Sequence, residues 1–133
     1  MINADIAPPV RDFLSQEHGL FIGGQWRPGP AFRDVVNPAD GAVIGKIAEA
    51  GEGDVDQAVA AARTAFDDGR WSDMKPAARV EVIRKVADLI ERHADTFATL
   101  ETIDNGKPIK YSAYGDVPAA IGAFRYYAGW ADK

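Results

Sequence analysis

The chain has 133 residues, 47% hydrophobic and 26% charged, a composition that supports a folded domain with a core and argues against disorder. Its net charge of −5, with Lys and Arg scattered, excludes the basic footprint of a nucleic-acid binder and of a protein drawn to anionic membranes. The absence of cysteine excludes disulfides, thiolate metal sites and a cysteine nucleophile within these residues, and fits a cytoplasmic location.

Met1 to Pro9 reads as a loose leader, with Asp5, Pro8 and Pro9 where a signal peptide would need a basic start and an apolar run. No stretch approaches the about 18 uninterrupted apolar residues of a membrane span. Val10, Phe13 and Leu14 share a face, predicting a short helix over 10–16 that stops near His18-Gly19, with His18 at the surface. Residues 1–19 are therefore set apart from 20–133.

Leu20 to Trp26 reads as strand, Gly23-Gly24 turn, strand, because paired glycines suit the positive backbone angles of a tight hairpin. Residues 32–37 and 42–48 are further strands around a Pro38-Ala39-Asp40-Gly41 turn, so the first third is a small β-meander. Gly51-Glu52-Gly53 then sits between strand and helix, the layout of a dinucleotide-binding turn, but Asp56 occupies the third glycine position. Asp54 as N-cap with Gln57 completing a capping box is the better account.

From Val55, apolar residues at Ala58, Val59, Ala62, Ala65 and Phe66 mark an amphipathic helix ended by Asp68-Gly69, and Trp71 reads as a core plug in the following loop. Pro76 opens the next helix, with Val80, Ile83, Val86, Ala87 and Ile90 as its buried face and its charges on the wet one. His93-Ala94-Asp95 marks a break, with His93 exposed and Asp95 capping a helix to Asp104. Asn105-Gly106 followed by Pro108 stops that helix. Tyr111 to Gly115 is a connection, and Asp116 caps a last helix with Val117, Ala120, Ile121, Phe124, Tyr127 and Ala128 on one stripe. The result is an α/β arrangement whose strand–helix alternation stops after one crossover, and whose aromatic end (Tyr126, Tyr127, Trp130) needs something to pack against.

Several stretches, in this order and spacing, resemble the N-terminal segment of the NAD(P)-dependent aldehyde dehydrogenases: Leu20 to Trp26, Val36-Asn37-Pro38-Ala39-Asp40-Gly41, Asp54 to Phe66, Leu89 to Pro108 with its Leu100-Glu101-Thr102-Ile103-Asp104-Asn105-Gly106-Lys107-Pro108 end, and Phe124 to Lys133 with its Tyr126-Tyr127-Ala128-Gly129-Trp130-Ala131 run. The resemblance covers the chain from about Leu20 onward. The wording of Phe13 to Ile22 is similar to that of phenylacetaldehyde dehydrogenases.

The resemblance implies the N-terminal part of that family's fold, incomplete as a Rossmann-type domain, with 20–133 as the first portion of the cofactor-binding domain. It implies a longer enzyme, a dimer or tetramer, that oxidises an aldehyde to a carboxylic acid with NAD or NADP through a cysteine thiolate and a glutamate. The cofactor-binding and catalytic residues lie beyond this stretch, so none is assigned here. The chain by itself is expected to be an inactive fragment that binds no cofactor and exposes apolar surface, packing against the remainder of the enzyme or against a second copy. Carried over by position, Asp104 and the Val35 carbonyl are candidates for a monovalent-cation site, and Ala119 for the substrate tunnel, where alanine leaves room for a bulky or aromatic aldehyde.

Two rival readings come from other classes. One is a non-catalytic interaction module using Tyr126, Tyr127, Trp130 and the Ala58-Ala62-Ala65 face. The other, a small hydrolase with Glu101 and Asp104 as paired carboxylates, is disfavoured because two groups on one helix flank do not acquire separate acid and base environments.

Overall fold

The computed structural model describes residues 6–133; the first five residues of the predicted leader lie outside that range. The chain forms two compact units, Met1–Ser72 and Asp73–Lys133.

In the first unit, α1 (Pro8–Leu14) begins on two prolines whose missing N–H groups cost nothing in a first turn, and it buries Val10 and Leu14. It stops two residues short of the predicted end. There the Ser15 hydroxyl and the Gln16 amide donate back to the Asp12 carbonyl at 2.9 and 3.2 Å. The chain then enters β1 (Glu17–His18), which runs parallel to β5, with Glu17 opposite Lys46.

The predicted strands are present, as β2 (Leu20–Ile22), β3 (Gln25–Arg27), β4 (Ala31–Val36) and β5 (Val43–Glu49). The meander is divided between two sheets: β2 and β3 form a hairpin, and β1-β5-β4 form a three-stranded sheet. The hairpin closes on Gly23 and Gly24, at φ 60° and 81°, angles that a side chain would strain. Pro28 and Pro30 lack the N–H groups needed to carry the hairpin ladder onward, which separates it from β4. Between β4 and β5, Asn37 Oδ1 accepts the Ala39 N–H and Asp40 Oδ1 accepts the Ala42 N–H, the local bonding expected of Asn and Asp in turns. Register shifts between Val35 and Val36, a bulge in β4.

Helix α2 (Glu52–Asp67) corrects the predicted cap by three residues. Gly51 is the N-cap and Asp54 is the third helical residue, its carboxylate accepting the Gly51 N–H at 2.9 Å. Gln57 instead donates to the Gly53 carbonyl and accepts from Arg27. Glycine at the cap supplies no side-chain acceptor, so the acid three residues on provides the only side-chain half of the box. The predicted apolar stripe exists, but no residue of α2 is buried, and Phe66 is 67% exposed. Trp71, predicted as a core plug, is instead 43% exposed in the turn that follows α2.

The second unit is helical. Helix α3 (Pro76–Arg92) starts at Pro76 as predicted and turns Ala87 fully inward, with Val80, Ile83, Val86 and Ile90 half-buried beside it. Helix α4 (Ala94–Asn105) follows directly. His93 rather than Asp95 is the N-cap, because the α3 end and the α4 start share that one residue, and Asp95 lies in the first turn. Gly106, at φ 82°, closes α4 in the left-handed conformation, its N–H donating to the Thr102 carbonyl at 2.8 Å.

The segment read as a connection is helical throughout: α5 (Ile109–Tyr111), a π-helical turn (Ser112–Asp116) and α6 (Val117–Ala128) run on without a break. Asp116 therefore does not cap a fresh helix; its backbone is already helical and its carboxylate is held by Lys107. Ala87, Ala98, Val117 and Ile121 form the core of this unit, with Ile90, Ala94 and Ala113 packed against it. Alanines at two of these positions let the helices approach closely. Of the predicted α6 stripe, Val117, Ile121 and Ala128 are buried, whereas Ala120, Phe124 and Tyr127 are exposed.

Candidate functional site

The three residues singled out by position fall as follows. Val35 is half-buried in β4, opposite Gly45, at the bulge. Asp104 is exposed on the last turn of α4, whose end is closed by the backbone bond from Gly106. Ala119 is exposed in the first turn of α6. Among the described residues, no group of three or more His, Asp or Glu side chains is placed to hold a metal ion.

The neighbourhood of Asp104 is held by side chains that periodicity does not reveal. Lys107 Nζ lies 2.7 Å from Glu101 Oε1 on α4 and 2.8 Å from Asp116 Oδ2 at the end of the π turn. Hydrogen bonds from the ammonium to Asp116 and then Glu101 hold Lys107 above the ordinary lysine range. Beside it, the Thr102 and Ser112 hydroxyls are 3.0 Å apart, and Ser112 is fully buried. Glu101, whose pairing with Asp104 as two catalytic carboxylates was disfavoured above, is the partner of a lysine. The only sequence cue was a lysine directly after the helix stop with acids on both sides.

A second charged clamp joins α3 and α6. The Arg125 guanidinium donates to Glu91 Oε2 at 2.6 Å and to Asp88 Oδ1 at 3.2 Å, and these carboxylates, Glu91 first, raise its affinity for the proton. Beyond it, Tyr126 meets Tyr127 edge-on at 5.2 Å and Trp130 at 6.1 Å between ring centroids. The three rings are 60%, 64% and 56% exposed. They are a contiguous aromatic surface, not a core.

In the first unit, an open depression of about 770 Å³ is lined by Phe13, His18, Trp26, Arg27 and Phe32 among others. His18 is half-buried there, stacked on Phe13 at 4.1 Å with Nε2 at 2.9 Å from the Phe13 carbonyl, so the ring is occupied in closing α1. His93 is exposed at the α3–α4 junction. The glycine turn before α2 offers no phosphate cradle: the Gly51 N–H is taken by Asp54, and Glu52 and Asp54 put negative charge in the first turn.

These elements are those of a known fold. The sequence profile of the aldehyde dehydrogenase family matches residues 26–133. An aldehyde dehydrogenase of Alternaria alternata is 44% identical over 100% of this chain and 27% of its own length. A mitochondrial benzaldehyde dehydrogenase of Antirrhinum majus is 43% identical over 98% of this chain and 25% of its own length. The solved NAD+ complex of a Bacillus cereus aldehyde dehydrogenase superposes with a TM-score of 0.91 at 42% identity, covering 96% of this chain and 26% of that one. The chain spans about a quarter of the length of the relatives it matches. Family profile, sequence identity and superposition agree that the chain belongs to the aldehyde dehydrogenase family, as the N-terminal segment of its fold.

Proposed function

We propose that these 133 residues are the first part of a cytoplasmic, homo-oligomeric enzyme that oxidises an aldehyde to the carboxylic acid with NAD+ or NADP+. On this reading, residues 20–133 are the opening portion of the cofactor-binding domain. The catalytic cysteine and glutamate and the cofactor-binding residues come from sequence beyond these residues, and the stretch alone is inactive and binds no cofactor. The observation that carries the reading is the near-complete superposition of this chain on only 26% of an NAD+-binding aldehyde dehydrogenase. The uncovered apolar faces of α2 and α6 support it.

Within that enzyme, as the family resemblance implies, the Val35 carbonyl and the Asp104 carboxylate are candidate ligands of a monovalent cation. Ala119 borders the aldehyde path, where its small side chain admits a bulky or aromatic substrate. The benzaldehyde named for the Antirrhinum relative is of that class.

Two measurements test the reading. The mass of the protein taken from its native source is expected to be several times 14.3 kDa, and a native mass of 14.3 kDa overturns it. The purified 133-residue chain is expected to produce no reduced nicotinamide from benzaldehyde with NAD+ or NADP+. Turnover by it would sink the claim that the catalytic groups lie elsewhere. A native mass of 14.3 kDa would bring forward a second reading, an interaction module acting through the exposed Tyr126, Tyr127 and Trp130 rings.

A further inference from the structure

Buried positions along the last helical run are Ser112, Val117, Ile121 and Ala128. From Val117 onward the spacing is that of an α-helix, but Ser112 to Val117 is five residues. The Val117 N–H accordingly donates to the Ser112 carbonyl, five residues back. In a continuous α-helix the residue stacked over Ser112 would be Asp116, a carboxylate directed at the core. The π turn avoids this. It puts Val117 inward and leaves Asp116 outside, where Lys107 holds it at 2.8 Å while also holding Glu101 at 2.7 Å. The start of the turn is tied separately by the Thr102–Ser112 hydroxyl bond. Far along α6, Arg125 fixes the helix to Asp88 and Glu91. Both ends of the run are thus anchored, and the extra residue reconciles them. π turns are rare, and they persist where surrounding contacts over-determine them.

We infer that Lys107 is a positioning residue: through Asp116 and the π turn it sets the rotation of α6, and with it the direction in which Ala119 is presented. Loss of the turn advances α6 by one residue, about 100° of rotation. Ala120 then moves inward, Val117 moves out, and Ala119 turns away from its present direction. That Ala119 faces the aldehyde rests on the function proposed above; the rotation itself does not.

The chain has no native cysteine, so a single introduced thiol reports one position. In the 133-residue chain, labelling by a water-soluble maleimide is expected to be slow at Val117→Cys and fast at Ala120→Cys, following their present burial. Adding Asp116→Leu, which makes the α register acceptable, is expected to reverse the order, changing each rate by about tenfold, while Ala98→Cys in the core stays slow. Lys107→Met is expected to shift the two reporters in the same opposed directions, and Lys107→Arg to leave them as they are. If Asp116→Leu unfolds the chain, Lys107→Met decides. An unchanged order in both backgrounds, or equal acceleration at all three sites in the Lys107→Met background, overturns the inference. No aldehyde turnover enters this measurement, so its failure is separate from failure of the enzymatic reading.

Discussion

Gly106 shows how one residue type sets the end of an element. At φ 82° it holds a conformation that a Cβ destabilises, and it closes α4 immediately before the lysine that braces the π turn. Gly106→Ala is expected to lower stability by about 1 kcal/mol, read as a shift in the urea midpoint with an unchanged slope. Asp54 acts at the opposite kind of helix end: removing its carboxylate by Asp54→Ala orphans the Gly51 N–H and is expected to cost about 1 kcal/mol in the same assay. Lys107 adds a pH dependence. Its proton is held more tightly folded than unfolded, so its contribution is complete below the unfolded value of about 10.4 and fades as pH rises through the higher folded value. The difference in melting temperature between the native chain and Lys107→Met is therefore expected to be constant near neutrality and to shrink above about pH 10.4. A difference that widens there would refute the assignment.

At the scale of elements, α3 and α6 differ in how much of their apolar surface their own unit covers. Helix α3 turns Ala87 fully inward with Val80, Ile83, Val86 and Ile90 half-buried beside it, while Val82 and Leu89 lie exposed on the charged side. Helix α6 carries one charged side chain, Arg125, and is apolar around nearly its whole circumference, yet only the Val117–Ile121–Ala128 side is covered. A helix apolar all round is one that a complete fold surrounds. Ile121→Ala is expected to destabilise by about 2–4 kcal/mol, since it opens a cavity beside Ala87 and Ala98. Helix α2 is the contrasting case. Val59 and Phe66 are exposed, so Val59→Lys with Phe66→Glu is expected to leave the melting temperature within about a degree of the native value while reducing self-association in sedimentation. A large drop in melting temperature would mean that α2 is already packed in the isolated chain.

Taken as a whole, the molecule has the secondary structure of a finished domain and the surface of an unfinished one. Local signals were legible in the sequence because they depend on neighbours in the chain. Gly23-Gly24 required the hairpin, Pro76 the start of α3, Asn105-Gly106 the end of α4, and the Asn37 to Gly41 turn chemistry the bend between β4 and β5. The family resemblance was legible for the same reason, since it rests on ordered short motifs within Leu20 to Lys133, and the profile matched 26–133. What lay beyond the sequence were the facts set by contacts distant along the chain. Strand β1 pairs with β5 across nearly thirty positions, so the strands divide into two sheets. Trp71 and the α2 stripe lie open because burial depends on what stands opposite, which periodicity does not encode. The π turn is the clearest instance. Composition and spacing determined that residues 117–128 are helical and apolar, but the rotation of that helix was decided only when Lys107 met Glu101 and Asp116, and Ser112 met Thr102, in three dimensions.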